Sequence, residues 1–168
     1  MLNEDKIIAI YCVVDDLLKG IGHLEDSRRK VSDSEVITTA FVSALYFKGH
    51  LDNGRSFMKM TSLIRNMLDK SRFCRRLHNL TFTICSLFFQ IGYHLKTIAG
   101  ASEYIVGSFP VAVCHNIRIS RSKILKGKQY RGFTASRRQY FYGVKVQVLT
   151  TAQGIPVEFC FVPVKNMM

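Results

Sequence analysis

Tyr140-Phe141-Tyr142-Gly143-Val144-Lys145-Val146-Gln147-Val148-Leu149-Thr150 is followed, past Thr151-Ala152-Gln153-Gly154, by Ile155-Pro156-Val157-Glu158-Phe159-Cys160-Phe161-Val162-Pro163. In the first run Tyr142, Val144, Val146 and Val148 fall on one side of an extended chain, with Lys145 and Gln147 on the other. Ala152-Gln153-Gly154 reads as a turn and Ile155 to Pro163 as the return strand, which makes a β-hairpin. Upstream, Tyr104-Ile105-Val106 and Val111-Ala112-Val113 are β-prone and flank Pro110. From Gly100 onward the chain therefore reads as antiparallel β.

Before Gly100 the period is helical. Ile7, Ile8, Tyr11, Val14, Leu17 and Leu18 form one stripe over Glu4 to Lys19, stopped by Gly20 and Gly22. Ser32-Asp33-Ser34-Glu35 is a capping-box pattern, predicting a helix from Asp33 to about Phe47. A shorter helix is expected around Arg55–Leu63. Asp69 reads as an N-cap. Beyond it Phe73, Leu77, Leu80, Ile84, Leu87, Ile91, Leu95 and Ile98 alternate spacings of four and three. They fit one long amphipathic helix, or two broken near His78-Asn79. The fold class expected is α+β, with a helical part over residues 1–100 and a β part over 101–168.

Charge follows the same division. The 168 residues carry 24 Lys+Arg against 12 Asp+Glu, a formal +12. Residues 1–69 hold ten acids and nine bases, whereas residues 70–168 hold fifteen bases and two acids, Glu103 and Glu158. Chemistry that needs a carboxylate cluster cannot be built from the second half. Between Asn116 and Lys145 stand Arg118, Arg121, Lys123, Lys126, Lys128, Arg131, Arg137, Arg138 and Lys145, with no acid and with Tyr130, Phe133, Tyr140 and Phe141 interleaved. Such a surface suits a phosphate backbone and exposed bases. Arg72, Arg75 and Arg76 form a second basic patch, expected on the exposed face of the helix that opens at Asp69. A short helix, a connection and this basic helix are compatible with a helix-turn-helix reader.

Other classes are disfavoured. Five scattered cysteines without a C-x-x-C pair argue against a disulfide framework or a structural zinc site. They are expected to be reduced, buried, small apolar residues. Cys74 and His78 are one helical turn apart, a two-member set too small for a metal site. The N-terminus lacks the positive charge and apolar run of a signal peptide. The most apolar stretch, Leu80 to Gly92, falls short of the roughly 20 residues of a membrane helix. A soluble, cytoplasmic protein with no membrane partner is expected.

Several ordered stretches resemble a bacterial insertion-sequence transposase of the 982 group, a DDE-type family. They are Val31–Glu35, Asn66–His78, Ser108–Cys114, Arg118–Arg121, Tyr140–Val148 and Gly154–Phe159. The resemblance runs from about Ile7 to Pro163. It implies a helical DNA-binding part followed by the first β-strands of an incomplete ribonuclease-H-like core. It also implies DNA transposition, in which Asp, Asp and Glu hold two Mg²⁺ ions for phosphodiester cleavage and strand transfer. In the family pattern the first Asp immediately precedes Ser-Phe-Pro. Here that position is Gly107. His115 stands at a second polar family position and is a poor Mg²⁺ ligand. The resemblance fades after Pro163, before the second Asp and the Glu, and it gives Glu158 no catalytic role. Asp15, Asp16, Asp33 and Asp69 belong to the helical part as caps and solvated acids. The expectation is a truncated, inactive transposase with no catalytic residue and no metal or other cofactor in this chain. The DNA-contacting set would be Arg72, Arg75, Arg76 and the nine bases above. The alternative is a non-catalytic DNA-binding regulator or inhibitor of the full-length enzyme. Partners would be DNA at the element ends, with full-length transposase or a second copy beside it. The return strand is expected as an exposed sheet edge.

Overall fold

The computed structural model describes residues 4–114, 119–120, 122–134 and 138–164. Five helices precede an antiparallel sheet, and the chain forms two compact units, Met1–Leu87 and Phe88–Met168.

In the first unit α1 (Glu4–Gly20), α3 (Leu51–Met60) and α4 (Lys70–Asn79) each pack against α2 (Asp33–Tyr46). α2 is central because its residues tolerate burial all round. Val36, Ile37 and Val42 are buried, and so are Thr39 and Ser43, whose hydroxyls donate to the Glu35 and Thr39 carbonyls one turn back. The capping box is present: the Glu35 N–H donates to Ser32 Oγ (3.1 Å) and the Ser32 N–H to Glu35 Oε2 (2.6 Å). Gly54 brings α3 against Ser43, leaving no space for a side chain at that point. The core continues through Met58, Ile64, Phe73 and Leu80.

Asp69 caps α4, accepting from the Arg72 N–H at 2.9 Å. Of the two arrangements left open for the long apolar stripe, two helices form: α4 ends at Asn79 and α5 (Thr81–Ile98) follows after Leu80. The short helix expected over Arg55–Leu63 instead covers Leu51–Met60. Residues 61–69 then separate it from α4. This exceeds the roughly three- to four-residue turn of a helix-turn-helix, so the tight DNA-reading motif is not what these helices form. Arg55 organises the connection: its guanidinium donates to the Leu68 carbonyl (2.6 Å) and lies 5.7 Å from the centre of the Phe73 ring.

The second unit holds β1 (Tyr104–Cys114), β2 (Arg131–Thr134), β3 (Gln139–Thr151) and β4 (Pro156–Pro163). β3 pairs with β1 along one side, and with β2 and then β4 along the other. The expected hairpin is β3–β4, with the Gly154 N–H closing the turn on the Thr151 carbonyl at 2.8 Å. Two β-prone runs were expected around Pro110, but a single strand passes through it. β1 is an edge strand, and an edge accommodates a proline whose nitrogen faces away from the ladder. β2 was not foreseen.

β4, like β1, pairs only with β3 among the described residues, so the expected open edge is there. Gly143 lies so close to β1 that an added Cβ would collide with the Val111 carbonyl. Phe88 and Phe89 of α5 pack on Phe159 of β4, with ring centroids 5.0 and 5.4 Å away. Gly92 lies against the Val157 backbone, its ideal Cβ only 2.7 Å from the carbonyl oxygen. These contacts join the second half of α5 to the sheet. β1, by contrast, is exposed from Tyr104 to Ala112 on both faces. Among the described residues no helix is long and apolar enough to cross a membrane.

Candidate functional site

The β2–β3 ladder lines a groove of the second unit. Directly paired residues of an antiparallel ladder share a face. Arg131 pairs with Tyr142 and Phe133 with Tyr140, so these four side chains project together. Tyr142 is buried, and its hydroxyl lies 3.1 Å from the Leu125 carbonyl and 3.2 Å from that of Gly127. That anchor holds residues 125–127 beside the sheet and leaves Lys126 and Lys128 exposed on either side of Gly127. Gly127 has φ +124, a backbone region side chains rarely adopt. A groove of about 690 Å³ is lined by Ile119, Ser120, Arg131, Phe133 and Tyr140. A smaller one of about 300 Å³ shares Ile119, Ser120 and Arg131 and extends to Lys126 and Lys128.

Of the expected contact residues, Lys123, Lys126, Lys128, Arg131 and Arg138 are all exposed, and none forms an ion pair with a described residue. Lys145 is half-buried in β3. Arg118, Arg121 and Arg137, together with His115, lie outside the described residues.

The α4 patch differs from its expectation. Arg76 turns inward and donates through Nε to Asp33 Oδ1 at 2.6 Å; only about a quarter of its side chain is exposed (27%). Asp33 also accepts from His23 Nε2 at 2.8 Å, and its N–H donates to Glu25 Oε1. Arg29 pairs with Glu25. The reason is charge: Asp33 is buried at the start of α2, and a buried carboxylate needs a cationic partner. Arg72 and Arg75 remain exposed, but Arg72 is paired with Asp69. The Arg72 N–H beside Asp69 holds that carboxyl below its ordinary range. Lys70 does the same to Asp52. Acids thus balance Lys70, Arg72 and Arg76 of α4 and leave Arg75 exposed, whereas none of the exposed bases around the β2–β3 groove has an acidic partner among the described residues.

His23, Glu25 and Asp33 bring ligand atoms within 4.8 Å of one another. Their acids are already taken up by Arg76 and Arg29, which makes the group an ion network joining α2, α4 and the loop after α1. Cys74 and His78 are exposed on α4 and belong to no three-member ligand group among the described residues. The cysteines are free, but they are not buried as expected: Cys12, Cys74 and Cys160 are exposed, and Cys85 and Cys114 are partly covered. Helix and strand register places them on outer faces.

Gly107 sits within β1 opposite Val148, which is opposite Phe159. Among the described residues of the sheet this face brings no carboxylate beside it. Glu158 pairs with Leu149, and Leu149 with Val106, which puts it on the other face. The residues at this position do not fit a Mg²⁺ site of the DDE kind, since a hard cation needs oxygen ligands.

The groove was only partly legible in advance. Arg131, Phe133 and Tyr140 stood out by composition. Tyr142 as anchor, and Ser120 and Ile119 as lining, did not. The signal available was the pair of short alternating runs, Arg131-Phe133 and Tyr140-Tyr142.

Residues 98–164, less than half of the chain, match the family model of the transposase DDE domain. No curated protein and no solved structure matches the chain. The match supports a DDE-type transposase and a transposition-related function.

Proposed function

We propose that this chain is a DNA-binding transposase-like protein of the 982 group of insertion sequences that holds the ends of its element without cutting them. The observation that carries this is one of charge. The stretch matching the transposase domain presents exposed, unpaired bases around the β2–β3 groove, yet has a glycine where the family pattern has its first Asp. Unpaired cations on an aromatic-bearing surface bind a phosphate backbone through counterion release. Without a carboxylate at Gly107 no divalent metal is held there, and in-line attack on a phosphodiester loses its charge stabilisation.

The ribonuclease-H-like reading rests on strand order. β3 runs between β1 and β4, an order compatible with the first β-strands that the resemblance implies. Ile105, Val106 and Phe109 of β1 are exposed and apolar on both faces, a surface suited to contact with further protein. The same open edge favours a second reading, that the chain joins an intact transposase through β1 and inhibits it.

The test is a strand-cleavage assay on the element's terminal sequences with Mg²⁺ or Mn²⁺. The proposal expects binding without nicking. Metal-dependent nicking by the purified chain overturns it.

A further inference from the structure

Phe133 and Tyr140 stand directly opposite each other on β2 and β3, with centroids 4.8 Å apart and planes at 51°. Both remain largely in solvent, 50% and 68% exposed. Ring pairs of this kind normally bury their faces; here the faces border the larger groove, beside Arg131 and Ser120. The adjoining smaller groove leads to Lys126 and Lys128. No acid occurs between Glu103 and Glu158, so the whole rim is cationic or neutral.

We propose that this groove seats an unpaired nucleotide of single-stranded DNA, its base against the Phe133–Tyr140 rings and its phosphates towards Arg131, Lys126 and Lys128. Three features select that ligand. The rings offer π-faces that stack on any base. Arg131, Lys126 and Lys128 follow on from the rings along the adjoining grooves, where a strand's backbone would run. A duplex keeps its bases stacked on each other and offers no free base face to the ring pair. The inference rests on the DNA-binding reading above and narrows its substrate from DNA in general to an opened or single-stranded segment.

The experiment measures fluorescence anisotropy of a labelled oligothymidylate, and of a duplex of the same length, with the full chain at fixed low salt. The wild type is expected to bind the single strand about tenfold more tightly than the duplex. The double variant Phe133→Ala/Tyr140→Ala is expected to lose that preference, its single-strand affinity falling about tenfold, and Tyr140→Phe to retain it. A second readout needs no variant: ultraviolet cross-linking of a 5-iododeoxyuridine strand to the wild type is expected to map to Phe133 or Tyr140. Equal binding of both DNA forms, with cross-links elsewhere, overturns the groove assignment and leaves the DNA-binding reading standing. No binding of either form at low salt overturns both.

Discussion

Gly107 and Glu158 lie on opposite faces of one antiparallel ladder, since Gly107–Val148–Phe159 forms one row of partners and Val106–Leu149–Glu158 the next. Glu158 is the sole acid of the chain after Glu103, so no described side chain of the β part brings a carboxylate beside position 107.

A side chain at Gly107 has room: an added Cβ meets nothing within 4 Å. Gly107→Asp is therefore expected to fold with a stability within about 0.5 kcal/mol of wild type in urea titration. It is also expected to remain inactive in cleavage, because one carboxylate does not hold two metals. A large loss of stability would show that the position is not open, and restored nicking would show that the other ligands are present after all.

Arg76 and Asp33 make a testable pair in the helical unit. Removing Arg76 leaves a buried carboxylate with His23 as its remaining side-chain partner. Arg76→Ala is expected to cost about 2 kcal/mol, below the roughly 3–5 kcal/mol of a fully buried pair because the arginine is partly solvated. Asp33→Ala is expected to cost at least as much, and the double variant less than the sum of the two. Additive losses in denaturant titration would mean the two residues do not interact.

Gly143 is where β3 meets β1 most closely. Gly143→Ala pushes a methyl into the Val111 carbonyl and is expected to destabilise the sheet by at least about 2 kcal/mol, with Gly107→Ala as a neutral control in the same sheet. Comparable melting of the two variants would contradict the described approach of the strands.

Local chemistry carried much of the fold into the sequence. The Ser32–Glu35 capping box, the Asp69 cap and the β3–β4 hairpin each depend on residues close together in the chain, and each is found where it reads. What escaped depends on distant partners. Arg76 reads as a surface cation until Asp33, 43 positions away, is seen to need it. β2 is four residues long and contains Gly132, so its strand character comes from pairing with Gln139–Tyr142 and not from its own pattern. The cysteines read as buried because free cysteine usually is, a tendency that says nothing about which face of a given helix or strand it occupies. At the candidate site, the excess of base was plain from composition. Telling the paired Lys70, Arg72 and Arg76 of α4 from the unpaired described bases around the groove required the ion pairs.

The most direct measurement of the central claim is duplex DNA affinity as a function of salt. Among the described residues of the second unit, Lys123, Lys126, Lys128, Arg131 and Arg138 are exposed bases that form no ion pair. If each neutralises a phosphate, log K falls against log salt with a slope of about −4.5. Lys126→Ala/Lys128→Ala is expected to make that slope shallower by about 2. Binding that ignores salt, or a slope that the double variant leaves unchanged, would contradict the account.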